Sequence, residues 1–313
     1  MKRNTCRFSL TLFVLVVLSL TAYHANADPK FSEWSAPVNL GPTINSPSTD
    51  FGPAISKDGL SLYFSSTRAD GFGGEDIWVS QRANRNDPWG PPVNLGPTIN
   101  TGSRELLPNF SRDGHWMFFA SDRPGGFGRF DIWVSWRAHT HDDFGWQPPV
   151  NLGAGVNSAA NDLAPHYFEN EDVGIPILFF TRGIPGILSD FDTYVSEHQV
   201  DGSFGPAVLV PELSSPQRDA RPNLRHDGLE IFFYSNRPGS VEGSLDLWVS
   251  TRETTLDAWS IPVNLDGTVN NEFDDQHPTV SADGQTLFFA SSRPGGVGGF
   301  DLYMTTRTKL RSR

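Results

Sequence analysis

SSRPGGVGGFDLYM, Ser291–Met304, is the last of five versions of one phrase. The others are STRADGFGGEDIWV from Ser66, SDRPGGFGRFDIWV from Ser121, TRGIPGILSDFDTYV from Thr181 and SNRPGSVEGSLDLWV from Ser235. Each reads as an apolar strand ending in Arg, a Gly-rich turn, then Asp and an aromatic strand. Repeats are weighed first because they decide the architecture.

Two more anchors share the period. Aromatic-x-x-Pro/Ala-Val phrases begin at Trp34, Trp89, Trp146, Phe204 and Trp259, spaced 55, 57, 58 and 55 residues apart. An acidic-x-x-Pro phrase begins at Asp50, Glu105, Asp162, Asp219 and Asp275. Between them, Asp58-Gly59, Asp113-Gly114, Asp227-Gly228 and Asp283-Gly284 separate β-prone runs, a strong hairpin signal. The third unit has the longer ENEDVGIP from Glu169 instead. No window shows a helical period free of Gly and Pro. The chain reads as all-β, a five-bladed propeller with four antiparallel strands per blade. Strand A lies at the acidic phrase, B after Asp-Gly, C after the repeated Asp and D at the aromatic-Pro-Val phrase. Blade one then runs roughly from Asp50 to Leu95. The chain starts on a D strand and ends on a C strand, so the N-terminal strand is expected to close the last blade.

Lys2, Arg3 and Arg7 precede the apolar run Leu10–Leu20, and Ala25-Asn26-Ala27 is a small-x-small site. Residues 1–27 read as a cleaved signal peptide, with 28–313 a single propeller domain in the periplasm or secreted. The single cysteine, Cys6, falls inside that signal, so no disulfide is expected. Net charge is −12, and −15 without the three N-terminal cations. That balance disfavours nucleic acid and anionic membrane as partners, and no second apolar span predicts membrane insertion.

The phrases SxDG…FFxSxRPGGxGxxDIWV resemble the TolB-like propeller repeat, a WD-repeat-like family of exported bacterial proteins. The resemblance covers the five repeats. It implies a β-propeller and an extracytoplasmic setting. It matches TolB only over the propeller, so the family's partners are not carried over.

Strand polarity places the repeated acid, Arg and post-turn Asp at one edge of each blade. The five triads are Asp50, Arg68, Asp76; Glu105, Arg123, Asp131; Asp162, Arg182, Asp192; Asp219, Arg237, Asp246; and Asp275, Arg293, Asp301. An Arg fork between two carboxylates would pin three strand ends. Repetition in every blade makes this a structural device, not one catalytic centre. Five inner-strand acids would also ring one channel mouth, where a cation or polyhydroxyl ligand is favoured. The Arg partners offset part of that field, so no metal or cofactor is assigned. The Gly-rich turns fail as stacked calcium repeats, which run in tandem, and as phosphate cradles, which precede helices.

Departures from the repeat single out ligand contacts. Where other inner strands carry Gly52, Leu107, Ala164 and His277, blade four carries Arg221; two positions on stand Ala54, Asn109, His166, Asn223 and Thr279. Arg221, His166, His277 and Asn109 are the candidates. Trp116 and Trp136 also break the pattern; core packing is expected, with sugar stacking the alternative. The third unit departs most, and its strand C ends in His198 where others have Arg82, Arg137, Arg252 and Arg307.

No G-x-S-x-G elbow, HExxH or metal-spaced cysteine set occurs. The first expectation is therefore a non-catalytic exported propeller, binding an envelope protein or glycan through the face carrying the B–C and D–A loops. The second is a carbohydrate-active hydrolase using channel-mouth carboxylates, since five-bladed propellers host glycosidases. A structural scaffold is the third.

Overall fold

The computed structural model describes residues 31–169, 174–184 and 190–310. The signal-peptide reading and Cys6 lie outside the described residues, as do parts of the third unit's two unusual loops. Five four-stranded antiparallel sheets form the five blades. Inner strands are Asp50–Ile55, Glu105–Phe110, Asn161–Glu169, Asp219–Leu224 and Asp275–Val280. The last sheet is completed by Val38–Asn39, which pairs with Asp301–Thr306 in the register Val38 to Met304. The ring is closed by the N-terminal strand.

The D strands are only two residues long: Val38–Asn39, Val93–Asn94, Val150–Asn151, Val208–Leu209 and Val263–Asn264. The prolines before most of them lack the N–H that would extend the ladder. The Asn of each PVN phrase has its own task. Asn94, Asn151, Asn264 and Asn39 donate to Asp76, Asp131, Asp246 and Asp301, at 2.7–3.0 Å.

Every inner strand slips register at the acidic-x-x-Pro phrase, as between Phe51 and Ala54 or Ala220 and Asn223. Proline explains it: Pro53, Pro108, Pro165, Pro222 and Pro278 donate nothing to the ladder, so the strand bulges. The residue before each proline takes a left-handed backbone, with φ of 61° at Gly52, 59° at Leu107, 52° at Ala164, 60° at Arg221 and 56° at His277. Four of these carry side chains in a conformation that costs each about 1–2 kcal/mol. The bulge replaces the simple alternation expected of these strands.

The core lies between blades. One cluster joins Tyr63, Ile77 and Val79 of blade one to Met117, Phe119 and Trp133 of blade two. The Gly that follows the turn's Phe or Val serves this packing. A Cβ on Gly73 would lie 1.7 Å from the Ser103 carbonyl oxygen, and one on Gly298 1.9 Å from that of Ser48. Tight contact with the next blade, not positive φ, requires glycine there.

Candidate functional site

The two mouths of the channel differ. At the D–A and B–C mouth the repeated acids are fully buried, at 0% exposure for Asp50, Glu105, Asp162, Asp219 and Asp275. Asp50 accepts from the Ser46 amide (2.6 Å) and hydroxyl (2.8 Å), the Ser66 hydroxyl (2.6 Å) and Arg68 Nη2 (2.6 Å). Glu105 with Arg123, Asp162 with Arg182, Asp219 with Arg237 and Asp275 with Arg293 repeat the ion pair at 2.5–3.1 Å. The same guanidinium groups donate to the carbonyls of Ile44, Ile99, Val156, Leu213 and Val269. Each also lies over aromatic rings, as Arg68 does over Phe64 at 4.9 Å and Trp78 at 5.2 Å.

The expected two-carboxylate fork is corrected in one respect. The second acid does not meet the Arg but gathers the turn: Asp131 accepts from the Phe127 and Gly128 amides at 2.6 and 3.0 Å, and Asp76 and Asp301 do likewise. Asp246 takes the Val241 amide at 2.8 Å. In blade three, Leu209 stands where the clamping Asn would be. Burial, with Asp219 and Asp190 nearby, raises the pKa of Asp192. Burial also pushes Asp275 up to about 6, against the pull of Arg293. No ring acid faces solvent, so none of the five is free to hold a cation or to react. Among the described residues, no three His, Cys, Asp or Glu side chains group as metal ligands.

The opposite mouth, under the A–B hairpins, opens as an axial funnel of about 110 Å³. Its floor carries Ala54, Asn109, His166, Asn223 and Thr279, one residue from each inner strand. These side chains stitch blades together. Asn109 Oδ1 accepts from the Tyr167 amide at 3.1 Å, Asn223 Oδ1 from Val280 at 2.9 Å, and His166 Nε2 from Leu224 at 3.3 Å. Asn109 Nδ2 and Asn223 Nδ2 each lie 3.2 Å from His166 Nδ1. Burial, helped by the charge of Arg221, drops His166 to about 3, so the imidazole is neutral.

Asn109 and His166 thus meet in one site; Arg221 and His277 lie one tier beneath it. Arg221 crosses the channel from blade four and donates through Nη2 to the Pro53 carbonyl at 2.8 Å and the Pro108 carbonyl at 3.4 Å. Its Nη1 is buried with no partner, as is His277 Nδ1. Burial holds Arg221 down to about 9. His277 sits between the rings of Phe51 (5.4 Å) and Tyr234 (5.0 Å).

The funnel wall holds residues that repeat reasoning passed over. Tyr167 stacks on Phe118 at 4.8 Å. Its phenol is pushed up to about 12 by burial and then by the charges of Glu169 and Asp113. Glu169 reaches the rim because blade three's inner strand runs nine residues where the others run six. The missing Asp-Gly turn was the available signal. Lys57, Arg112, Arg225 and His226 complete the rim. Trp116 and Trp136, expected in the core, are 43% and 39% exposed and 6.5 Å apart on blade two. They start strand B and end strand C, at the same face as the funnel.

No protein-family model and no curated protein matches the chain. Solved structures match it over most of its length. It is similar to the catalytic domain of the GH62 α-L-arabinofuranosidase of Coprinopsis cinerea, at 13% identity and TM-score 0.63, over 90% of this chain and 98% of that one. A thermostable family-43 glycoside hydrolase matches at 17% identity and TM-score 0.57, over 88% and 94%. The endo-arabinase of Bacteroides thetaiotaomicron matches at 16% and 0.54, over 90% and 99%. These neighbours overturn the first expectation, a non-catalytic propeller binding through its D–A and B–C loops, because they are glycoside hydrolases. The geometry removes its premise too, since the cavity lies on the other face. At these identities the likeness establishes the fold: the chain is a five-bladed β-propeller.

Proposed function

We propose that the protein is a carbohydrate-active hydrolase that takes its substrate in the axial funnel. The observation that carries the reading is the exposed Trp116–Trp136 pair on the funnel's own face, two indole rings tilted 58° to each other whose apolar faces are of the kind on which sugar rings stack. The fold shared with arabinan- and arabinofuranoside-cleaving enzymes agrees with it. Glycoside hydrolysis needs two carboxylates across the scissile bond. The ring acids are sealed, so we assign the acid role to Glu169, on the funnel rim, and the base role to Asp113, in the A–B turn of blade two beside the rim; the charges of both reach Tyr167. Burial is the largest single influence on Asp113 and works against ionisation, but the Ser111 hydroxyl, the His115 amide and the His115 charge together hold its carboxyl below the usual range. We read the repeats as TolB-like in descent and the mature enzyme as exported, facing envelope or environmental glycans.

The test is a screen of aryl glycosides and polysaccharides for reducing-end release. Glu169→Gln and Asp113→Asn are each expected to lower kcat about 100-fold or more. Absence of hydrolysis across the panel, or full activity in Glu169→Gln, sinks the proposal.

A further inference from the structure

The funnel contradicts the charge of the molecule around it. The chain carries −12 overall, yet among the described residues the funnel is lined by Lys57, Arg112, Arg225 and His226 against one carboxylate, Glu169. Arg225 is held by Asp227 and Glu230, at 2.9 and 3.1 Å. Arg112 and Lys57 approach His226 from blades two and one, and after burial their charges hold down its pKa against the opposing pull of Asp227. Glu169 itself accepts from the Arg112 amide at 2.8 Å.

The floor repeats the bias through hydrogen-bond direction. The Leu224 amide points at His166 Nε2, which must accept, so the proton of the neutral ring belongs on Nδ1. Nδ1 nevertheless faces two amide nitrogens. The Asn side chains cannot turn to relieve this, because their oxygens already accept the Tyr167 and Val280 amides. Whichever nitrogen carries the proton, donors outnumber acceptors around the imidazole. Beneath stands the buried Arg221 guanidinium, with no carboxylate within ion-pair distance among the described residues and with Nη1 unsatisfied. Cationic rim, donor-rich floor and uncompensated charge below all favour one kind of occupant.

We propose that the funnel is an anion-receiving subsite that takes the carboxylate of an acidic saccharide, a uronic-acid unit. The saccharide part rests on the hydrolase reading; the anion part rests on the funnel alone. Lys57 and Arg112 draw the acidic sugar to the rim, and the amides of Asn109 and Asn223 offer N–H groups to its oxygens at the axis.

Calorimetric titration of the full chain with trigalacturonate and with neutral trigalactose tests this. The uronate is expected to bind about tenfold tighter or more, one to two charge-assisted hydrogen bonds' worth. That preference should shrink as salt is raised and vanish in the Lys57→Ala/Arg112→Ala variant, with the thermal midpoint unchanged as the check on folding. Equal affinities, or a preference that survives both the salt and the variant, overturn it. Uronate-selective binding without turnover of any glycoside would sustain the subsite and retire the hydrolase. Hydrolysis of neutral substrates with no uronate preference would do the reverse.

Discussion

Replacing His166 with Asn should flatten the acid sensitivity of the protein. The imidazole is neutral in the folded state because burial, with Arg221 nearby, lowers its pKa from 6.5 to about 3. In the unfolded chain it titrates normally. Between those values the unfolded state binds more protons, so the stability His166 gives is complete above about pH 6.5 and is lost as the pH falls toward 3. At about pH 4.5, two units into that window, the loss amounts to about 3 kcal/mol. Asp275 acts in the opposite sense. Its folded pKa, raised by burial to about 6 from 3.8, makes stability rise as the pH falls through that range. That contribution is common to wild type and variant and cancels in their difference. Asn is the replacement already proven at this tier, since Asn109 and Asn223 each accept the next blade's amide as His166 accepts that of Leu224. Denaturant unfolding of both proteins, followed by tryptophan fluorescence from about pH 7.5 to about pH 4.5, should show the variant gaining about 3 kcal/mol on wild type. A difference that stays constant with pH refutes the assignment of a neutral, enclosed His166.

Two other substitutions separate architecture from chemistry. Asp143 is 2% exposed and accepts from Tyr63 (2.6 Å), Arg137 (2.8 Å), Ser61 (2.5 Å) and Gln81 (2.7 Å) across the first two blades. Asp143→Ala strands the Arg137 charge and should cost about 3–5 kcal/mol, lowering the calorimetric midpoint by about 10 °C. Asp50→Asn weakens a sealed ion pair and should lower stability by about 2 kcal/mol in denaturant titration. It should leave kcat on any substrate within about twofold of wild type; a hundredfold loss would return the ring acids to catalysis.

The propeller was legible because its grammar is repeated five times, and each repeated word maps onto one contact. The acidic-x-x-Pro phrase is the bulge. Asp-Gly is the A–B turn, whose glycine carbonyl accepts from the Arg ending strand C: Arg82 to Gly59 at 2.8 Å, Arg137 to Gly114 at 3.0 Å, Arg252 to Gly228 at 2.7 Å and Arg307 to Gly284 at 2.8 Å. The aromatic opening each D phrase lies beneath the same guanidinium, Trp89 at 4.1 Å, Trp146 at 4.4 Å, Trp259 at 4.2 Å and Trp34 at 4.4 Å. The site was less legible because the same repetition drew the eye to acids that every blade buries. A residue type's chemistry is readable from sequence; whether its lone pairs are already taken is not.

Blade three shows how the departures are linked. It lacks the Asp-Gly turn, so the partner of the strand-C Arg is gone, and His198 stands there, edge-on to Phe204 at 5.1 Å. It lacks the clamping Asn, and burial beside Asp219 and Asp190 raises the pKa of Asp192. Its Arg182 occupies the register of Ser66, Ser121, Ser235 and Ser291, opposite the post-turn Asp, yet reaches Asp162 through Nε at 2.7 Å and the Val156 carbonyl through Nη2 at 2.6 Å. The ion pair that anchors the ring acid is kept, while the contacts that shape the A–B and C–D edges are released together. Of these, the A–B edge borders the funnel, where the inner strand runs on to Glu169. The blade that breaks the repeat supplies both the histidine of the floor and the one carboxylate among the funnel's described lining residues.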